Sequence, residues 1–176
     1  MCNLPTRVTA VLAASVFAGA VSAGDVSKEA VLEAQTAWGE GIVAIAKAHT
    51  DGSDFKGRAE EHINELYAYG DTDVMFKPTL AAEDQFRETF DEALSYFIGT
   101  EGTEDNGFAI KGWTNVRWEN NGIFTNGSSA MAMGNYYFTD PDGNEVAVEY
   151  TFGYIEDENG ELKINLHHSS LPYSPS

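Results

Sequence analysis

The segment near the C-terminal end of the chain carries the residues best suited to chemistry. Residues 162–170 alternate apolar and polar side chains and then end in the run His167-His168-Ser169-Ser170. Imidazole and hydroxyl groups can hold water, move protons and donate hydrogen bonds to an oxygen that gains charge. The alternation is typical of a β-strand, in which neighbouring side chains point to opposite faces.

Strand alternation also predicts which of these side chains face inward. The apolar residues of the segment fall on one face: Leu162, Ile164 and Leu166. Continued alternation places His168 and Ser170 on this core-facing side. His167 and Ser169 then point away from it. Two polar groups at the end of an apolar row mark a pocket, unless they satisfy one another and the backbone or lie at a subunit contact.

Two residues from other segments are candidates to join this pair. Thr79 ends the short extended segment Phe76-Lys77-Pro78-Thr79, and Tyr96 belongs to a predicted helix. Each also has a purely structural interpretation. Thr79 is suited to cap the next helix, and Tyr96 to form the amphipathic edge of its own helix.

The small number of histidines argues against a zinc site. The chain has four of them, at positions 49, 62, 167 and 168. Because adjacent strand residues face opposite ways, His167 and His168 do not easily bind one ion. A three-histidine zinc site would need His49, His62 and one of this pair. A carboxylate site for manganese or magnesium stays open, although surface acids explain most of the Asp and Glu.

Other catalytic classes lack their characteristic motifs. The one cysteine is Cys2, and the chain has no Gly-x-Ser-x-Gly turn for an activated serine. It has neither a phosphate-binding loop nor a dinucleotide fingerprint. The sequence therefore favours a pocket of hydroxyls and one imidazole.

The N-terminal 23 residues have the composition of a secretory signal peptide. Arg7 precedes the small, apolar run Val8–Val21, and Val21-Ser22-Ala23 offers a cleavage site. We therefore predict a signal peptide over residues 1–23, a periplasmic or secreted location, and one domain over residues 24–176. That domain has no cysteine and is expected to be stabilised by packing alone.

The charge of this predicted domain excludes several kinds of partner. Without Arg7, nine Lys and Arg stand against 28 Asp and Glu, which is a net charge of −19 with neutral histidines. Such a surface repels nucleic acids and anionic lipids, and no basic cluster offsets it. We expect no nucleic-acid partner, and no membrane association once the signal peptide is removed.

Hydrophobic periodicity predicts a helical front and a strand-rich back. Apolar residues recur at steps of three and four after Ser27, from about Phe55 to Gly70, and from Phe86 to Phe97, which indicates three helices. A short extended segment over residues 74–79 precedes the third helix. After Gly107 the period becomes two, which predicts strands over residues 113–119, 129–139, 145–155 and 162–170.

Turn residues suggest how these strands are connected. Asn120-Asn121-Gly122 is a hairpin signal, and two Asp- and Gly-containing turns follow at residues 140–143 and 157–160. The elements together predict an α+β fold, in which helices are packed in a strongly curved, mostly antiparallel sheet. Such a sheet forms a cone whose open mouth can hold a small ligand.

Several segments resemble known families. The run Ile164–Pro172 is similar to the end of the association (hub) domain of calcium/calmodulin-dependent protein kinase II and its free-standing bacterial relatives. The closer resemblance is to the iota-class carbonic anhydrases. It extends, in the same order, through residues 76–79, 93–97, 132–136 and 150–154.

This resemblance implies a fold, a reaction and a set of site residues. The fold is the nuclear transport factor 2-like cone, usually assembled as a homodimer, and the reaction is the reversible hydration of carbon dioxide to bicarbonate. The scarcity of histidines favours the version that requires no metal, with zinc or manganese as the alternative. Its roles in holding water and bicarbonate fall on Thr79, Tyr96, His168 and Ser170, with His168 passing the proton outward.

Two other classes of function stay open. One is a non-catalytic module for small-ligand binding or oligomerisation, like the kinase hub. The other is a different lyase or isomerase, because this fold hosts many chemistries. An acid–base isomerase would need an Asp or Glu on the inner face of the sheet, and Glu145 and Glu149 lie opposite the apolar row of their strand.

Overall fold

The computed structural model describes residues 25–175, so the signal peptide predicted for residues 1–23 lies outside the described residues. The described part has three helices and five strands. The helices are α1 (Lys28–Thr50), α2 (Phe55–Leu66) and α3 (Phe90–Ile98). The strands are β1 (Met75–Lys77), β2 (Asn115–Asn126), β3 (Ser129–Thr139), β4 (Glu145–Glu156) and β5 (Leu162–Ser170).

The five strands form one curved, open sheet in the order β1-β5-β4-β3-β2. Strands β2 to β5 pair antiparallel with their neighbours, and β1 joins β5 in parallel. The predicted α+β fold with a mostly antiparallel sheet is confirmed. No helix within residues 25–175 combines the length and apolar character that crossing a membrane requires.

Side-chain caps fix where the helices begin. The hydroxyl of Ser27 accepts the N–H of Ala30 at the start of α1, as predicted. The third helix begins later than its periodicity suggested. Thr89 and Glu92 form a capping box that starts the helix at Phe90, and Phe86 lies before the helix as an exposed side chain.

The predicted hairpin turn at residues 120–122 is wrong. Strand β2 continues through it to Asn126, and the register of β2 on β3 shifts between Asn120 and Gly122. Asn121 is thus the extra residue of a β-bulge. On the neighbouring strand, a Cβ at position 134 would overlap the backbone of the bulge, so Gly134 is what lets the two strands approach.

Trp38 is the centre of the core. It is fully buried on the face of α1 that packs into the concave sheet. Its indole contacts aromatic rings of α2, the strands and the loop after α3, namely His62, Phe108, Trp118, Tyr136, Phe138, Phe152 and His167. The close approach of α1 depends on Gly39 and Gly41, where a Cβ would press on Val116 and overlap the ring of His62.

His62 is buried in the groove between α1 and α2 with its Nε2 atom unpaired among the described residues. Burial lowers the pKa of His62 to about 3 and holds the pKa of His167 well below its usual value. The charged groups facing the outer edge of His62 are Glu40, Arg58, Glu61 and Glu65. Both histidines are therefore neutral in the folded protein at neutral pH.

These two histidines should make the fold sensitive to acid. An unfolded histidine takes up a proton below about pH 6.5, whereas the buried one does not. The free energy of unfolding should therefore be at its maximum above pH 6.5. Below that pH it should fall by about 1.4 kcal/mol per pH unit for each of the two histidines. Urea unfolding at pH 7.5, 6 and 5 measures this slope. His62→Leu should reduce this slope by about 1.4 kcal/mol per pH unit, the contribution of one histidine. Equal slopes in the parent and the His62 variant would contradict the prediction.

Candidate active site

A cavity of about 290 Å³ opens at the mouth of the cone. We call it the site cavity. Aromatic and aliphatic side chains make up most of its wall, from α1, α3 and the three central strands. The polar residues that line it are Thr79, Tyr96, Lys111, Tyr136, His167 and Ser169. Among the described residues, no Asp or Glu lines this cavity.

A bulge in β5 reverses the alternation that the sequence suggested. Tyr154 pairs with Ile164, but the preceding residue, Gly153, pairs with Leu166, so Asn165 is an extra residue in β5. Ile164 faces the core, and after the bulge the inward positions become 167 and 169 instead of 168 and 170. The predicted orientation of the strand end is therefore wrong.

The burial of the four polar residues shows this reversal directly. His167 and Ser169 are each 3% exposed and line the site cavity. His168 is exposed on the outer face of the sheet. Ser170 is also on that face, where its hydroxyl donates to a carboxylate oxygen of Glu149 at 2.9 Å. Neither His168 nor Ser170 reaches the site cavity.

Thr79 and Tyr96 do lie at the site cavity, together with Ser169 in place of Ser170. The parallel pairing of β1 with β5 sets Lys77 beside His168. The chain beyond β1 thus passes along the end of β5, and the Thr79 hydroxyl donates to the Ser169 oxygen at 2.8 Å. Two hydroxyls from distant parts of the sequence meet on the cavity wall.

His167 is enclosed by aromatic rings and hydrogen bonded at both nitrogens. The Phe76 ring stacks on it with centroids 4.5 Å apart, and the Phe152 ring lies edge-on at 4.1 Å. Its Nδ1 atom is 2.8 Å from the hydroxyl of Tyr67, and its Nε2 atom is 3.3 Å from the hydroxyl of Tyr136. With a lowered pKa and no free nitrogen, His167 is a neutral hydrogen-bonding group.

The tyrosines at the cavity keep their protons at neutral pH. Burial raises the pKa of Tyr96 to about 12, although nearby N–H groups of Leu80 and Thr79 partly offset this. Burial also raises the pKa of Tyr136, an effect that the nearby Ser169 hydroxyl partly offsets. Both phenols are therefore available as hydrogen-bond donors.

A buried ion pair holds the loop that carries Thr79. Arg87 bonds to the Asp105 carboxylate at 2.6 Å, and Asp105 also accepts the hydroxyl of Ser95 at 2.7 Å. The Glu104 carboxylate accepts the N–H groups of residues 82–84. These contacts fix the loop over α3, on the side of the site cavity that Tyr96 lines.

The sequence did not indicate three residues that form hydrogen bonds with His167 or with one of its partners, namely Tyr67, Tyr136 and Trp38. Tyr136 and Trp38 line the cavity, whereas Tyr67 does not, and Trp38 donates its indole N–H to the Tyr67 hydroxyl at 2.9 Å. They come from separate elements, and their aromatic character indicated only core packing.

Metal ligands are not grouped at this site. Within residues 25–175, no three His, Cys, Asp or Glu side chains come close enough together to hold a metal ion. The four histidines are dispersed, since His49 is exposed at the end of α1 and His62 lies between two helices.

The bulge in β5 yields a test of how the site is positioned. A Cβ at position 153 would lie 2.9 Å from the Cβ of Leu166 and 3.0 Å from Oδ1 of Asn165. Gly153→Ala should therefore strain the bulge and lower the free energy of unfolding by about 1–3 kcal/mol. It should also displace His167 and Ser169 from the site cavity. Gly122→Ala, where an added Cβ meets nothing within 4 Å, is the matched control. Urea unfolding would contradict the prediction if the two variants were equally stable.

Comparison with known proteins identifies the family to which this chain is similar. The sequence pattern described as "Metal-independent carbonic anhydrase" matches residues 29–171. A metal-independent carbonic anhydrase of Nostoc sp. (strain PCC 7120) is 41% identical over 157 residues, which cover 84% of this chain and 75% of that protein.

Two solved structures are similar to this fold. The iota-carbonic anhydrase of a cyanobacterium, complexed with bicarbonate, superposes with a TM-score of 0.85 at 38% identity, covering 91% of this chain and 100% of that one. A putative calcium/calmodulin-dependent protein kinase II association domain from Xanthomonas campestris superposes with a TM-score of 0.58 at 22% identity, covering 86% of this chain and 91% of that one, which shows the fold alone.

The resemblance read from the sequence is thereby confirmed, and the family supports an enzyme over a non-catalytic module. It also agrees with the prediction that no metal is required, against the zinc or manganese alternative. The chain belongs to the metal-independent carbonic anhydrase family.

Proposed function

We propose that this carbonic anhydrase hydrates carbon dioxide in the site cavity, on a water molecule held by Thr79, Tyr96 and Ser169. The observation that carries the proposal is the meeting of the Thr79 and Ser169 hydroxyls, 2.8 Å apart, on the wall of an otherwise aromatic cavity. Converging donors in a water-poor site can stabilise a developing oxyanion.

The lining of the cavity suits both partners of the reaction. Its aromatic wall favours the apolar carbon dioxide molecule, and its hydroxyls suit the oxygens of bicarbonate. Within residues 25–175, Lys111 is the one charged residue that lines the cavity, and a cation there attracts the anionic product. The related cyanobacterial enzyme was crystallised with bicarbonate, which supports the same ligand here.

An acid–base isomerase has less support. Of the two acids that could have faced inward, Glu149 accepts the Ser170 hydroxyl on the outer face. Glu145 pairs with Arg117, also at an exposed position. In the part of the chain that the structure describes, no carboxylate is thus placed to remove a proton from a carbon atom in the cavity.

The reaction then proceeds by one addition. The water oxygen forms a bond to the carbon of carbon dioxide, and one C=O electron pair moves onto its oxygen. Tyr96 and Ser169 donate hydrogen bonds to that oxygen as it gains charge. Thr79 orients the water from the cavity mouth, and the water's proton leaves to solvent there, which yields bicarbonate.

Ser169 takes the role that the sequence assigned to Ser170, whereas His167 takes the place of His168 at the cavity but not its role. The outward proton transfer predicted for His168 has no support, because that side chain lies on the outer face of the sheet. His167 has both nitrogens bonded to tyrosines. Its role is to position hydroxyl groups and not to exchange protons with solvent.

Two neighbouring serines test the site. Ser169→Ala removes a donor to the oxyanion and should lower kcat/KM for carbon dioxide hydration about a hundredfold. Ser170→Ala changes the same residue type one position along, on the outer face, and should retain the activity of the parent. Stopped-flow hydration assays in buffers freed of metal by chelation measure both variants.

The outcomes of this test separate the parts of the proposal. Parent-like activity in Ser169→Ala, or a large loss in Ser170→Ala, would place the reaction outside the site cavity. Loss of the parent's activity on chelation, with recovery on adding one metal, would remove the metal-free mechanism.

Export and self-association belong to the same proposal. Residues 1–23 have the features of a cleavable signal, and mature residues 24–176 would then act in the periplasm or outside the cell. The outer face of the sheet carries the exposed apolar side chains of Phe124, Met131 and Met133. An apolar patch of this kind on a curved sheet suits contact with a second copy of the chain.

Both points can be checked on one preparation. The full chain, expressed in a Gram-negative host and recovered from the periplasm, should have the intact mass of residues 24–176 and a light-scattering mass twice that value. Met131→Glu with Met133→Glu should give the monomer, because two charges per copy would be buried. An uncleaved cytoplasmic product would refute export, and a monomeric parent would refute the dimer.

A further inference from the structure

We propose that Tyr67 is a positioning residue that holds His167 in its Nε2–H form and so leaves the Tyr136 hydroxyl proton free to be donated to the substrate. The catalytic consequence rests on the proposed reaction in the site cavity. The hydrogen-bond arrangement itself does not. Tyr67 follows α2, is 2% exposed and does not line the cavity, so it acts through His167.

The direction of this hydrogen-bond chain is set at its buried end. The indole N–H of Trp38 lies 2.9 Å from the Tyr67 oxygen, and an indole nitrogen can only donate. Tyr67 therefore accepts at this contact. Its own proton remains available for its second partner, Nδ1 of His167, at 2.8 Å.

The reverse arrangement would leave a proton without a partner. If Nδ1 of His167 carried the hydrogen, the Tyr67 oxygen would accept from both Trp38 and His167. The Tyr67 proton would then point into the aromatic core, which costs the full desolvation of a donor. Donation from Tyr67 to Nδ1 is the arrangement in which every group of the chain is satisfied.

A neutral imidazole that accepts at one nitrogen carries its hydrogen on the other. His167 thus has Nε2–H, which donates to the Tyr136 oxygen at 3.3 Å. The Tyr136 proton is then not taken by His167, and because Tyr136 lines the site cavity this proton is free to be donated to a ligand there. The Ser169 oxygen on the same wall accepts from Thr79, which leaves the Ser169 proton free as well.

The opposite tautomer would reverse the end of the chain. Nε2 would become an acceptor, and Tyr136 would donate its proton to His167. The cavity would lose a donor to the developing oxyanion without any change in its residues.

The position of the hydrogen on His167 can be read by long-range ¹H–¹⁵N NMR of protein labelled at histidine nitrogens, beside stopped-flow kinetics. The parent should show the Nε2–H form at His167. Tyr67→Phe frees Nδ1 and should raise the Nδ1–H form, with a fall in kcat of about tenfold, the value of one hydrogen bond. Tyr136→Phe should also lose activity and yet retain Nε2–H, because Tyr67 still donates to Nδ1.

A matched control separates this effect from loss of a buried hydroxyl in general. Tyr154 is equally enclosed in the core but lies outside the chain of hydrogen bonds from Trp38 to Tyr136. Tyr154→Phe should keep both the Nε2–H signal and the parent's kcat. Circular dichroism would verify that each variant is folded.

Three results would overturn the proposal: an Nδ1–H form in the parent, a folded Tyr67→Phe variant with the parent's tautomer, or one with the parent's kcat. If Tyr67→Phe does not fold, the parent spectrum and the Tyr136→Phe variant test the proposal instead. Loss of the Nε2–H form in Tyr136→Phe would show that Tyr67 does not determine which nitrogen of His167 carries the hydrogen. The NMR readout is independent of activity. Failure of the proposed site would appear in the Ser169 and Ser170 pair instead.

Discussion

The enclosure of His167 between aromatic rings constrains the groups around it. Phe76 and Phe152 exclude water from the imidazole, so it stays neutral and each nitrogen must find a partner within the protein. Tyr67, after α2, and Tyr136, on β3, supply these partners. Since each tyrosine ring is also part of the core, packing of the core and orientation of the polar site are satisfied by the same side chains.

A site made of neutral donors has to rely on orientation. A metal ion or a buried cation would attract an oxyanion from any side, whereas a hydroxyl stabilises it only when its proton points the right way. Hydrogen bonds are stronger where water is excluded, and neutral hydroxyls cost less to bury than charges. The raised pKa values of Tyr96 and Tyr136 keep these groups protonated, and therefore as donors, throughout the neutral range.

Much of this fold could be predicted from the sequence, because periodicity and capping residues are local signals. The helices, the strands and their order along the chain followed from such signals, whereas the site roles of Thr79 and Tyr96 came from the family resemblance. The two bulges did not follow from local signals, because one extra residue shifts the alternation without changing the residue types around it. Each bulge does have a glycine on the neighbouring strand, Gly134 beside Asn121 and Gly153 beside Asn165. An interior glycine in a strand is the signal that could have indicated them.

The partners of His167 could not have been predicted by any local rule, since Tyr67 and His167 are 100 residues apart in sequence. The site cavity also departs from the composition of the chain as a whole. The protein has 28 Asp and Glu, and none of the described ones lines the cavity. A carboxylate there would repel bicarbonate and accept the hydroxyl protons that the anion needs, as Glu149 does with Ser170 on the outer face. The exclusion of acids from the wall therefore keeps the hydroxyl protons available, and it allows an acidic protein to bind an anion with neutral hydroxyls beside the cation Lys111.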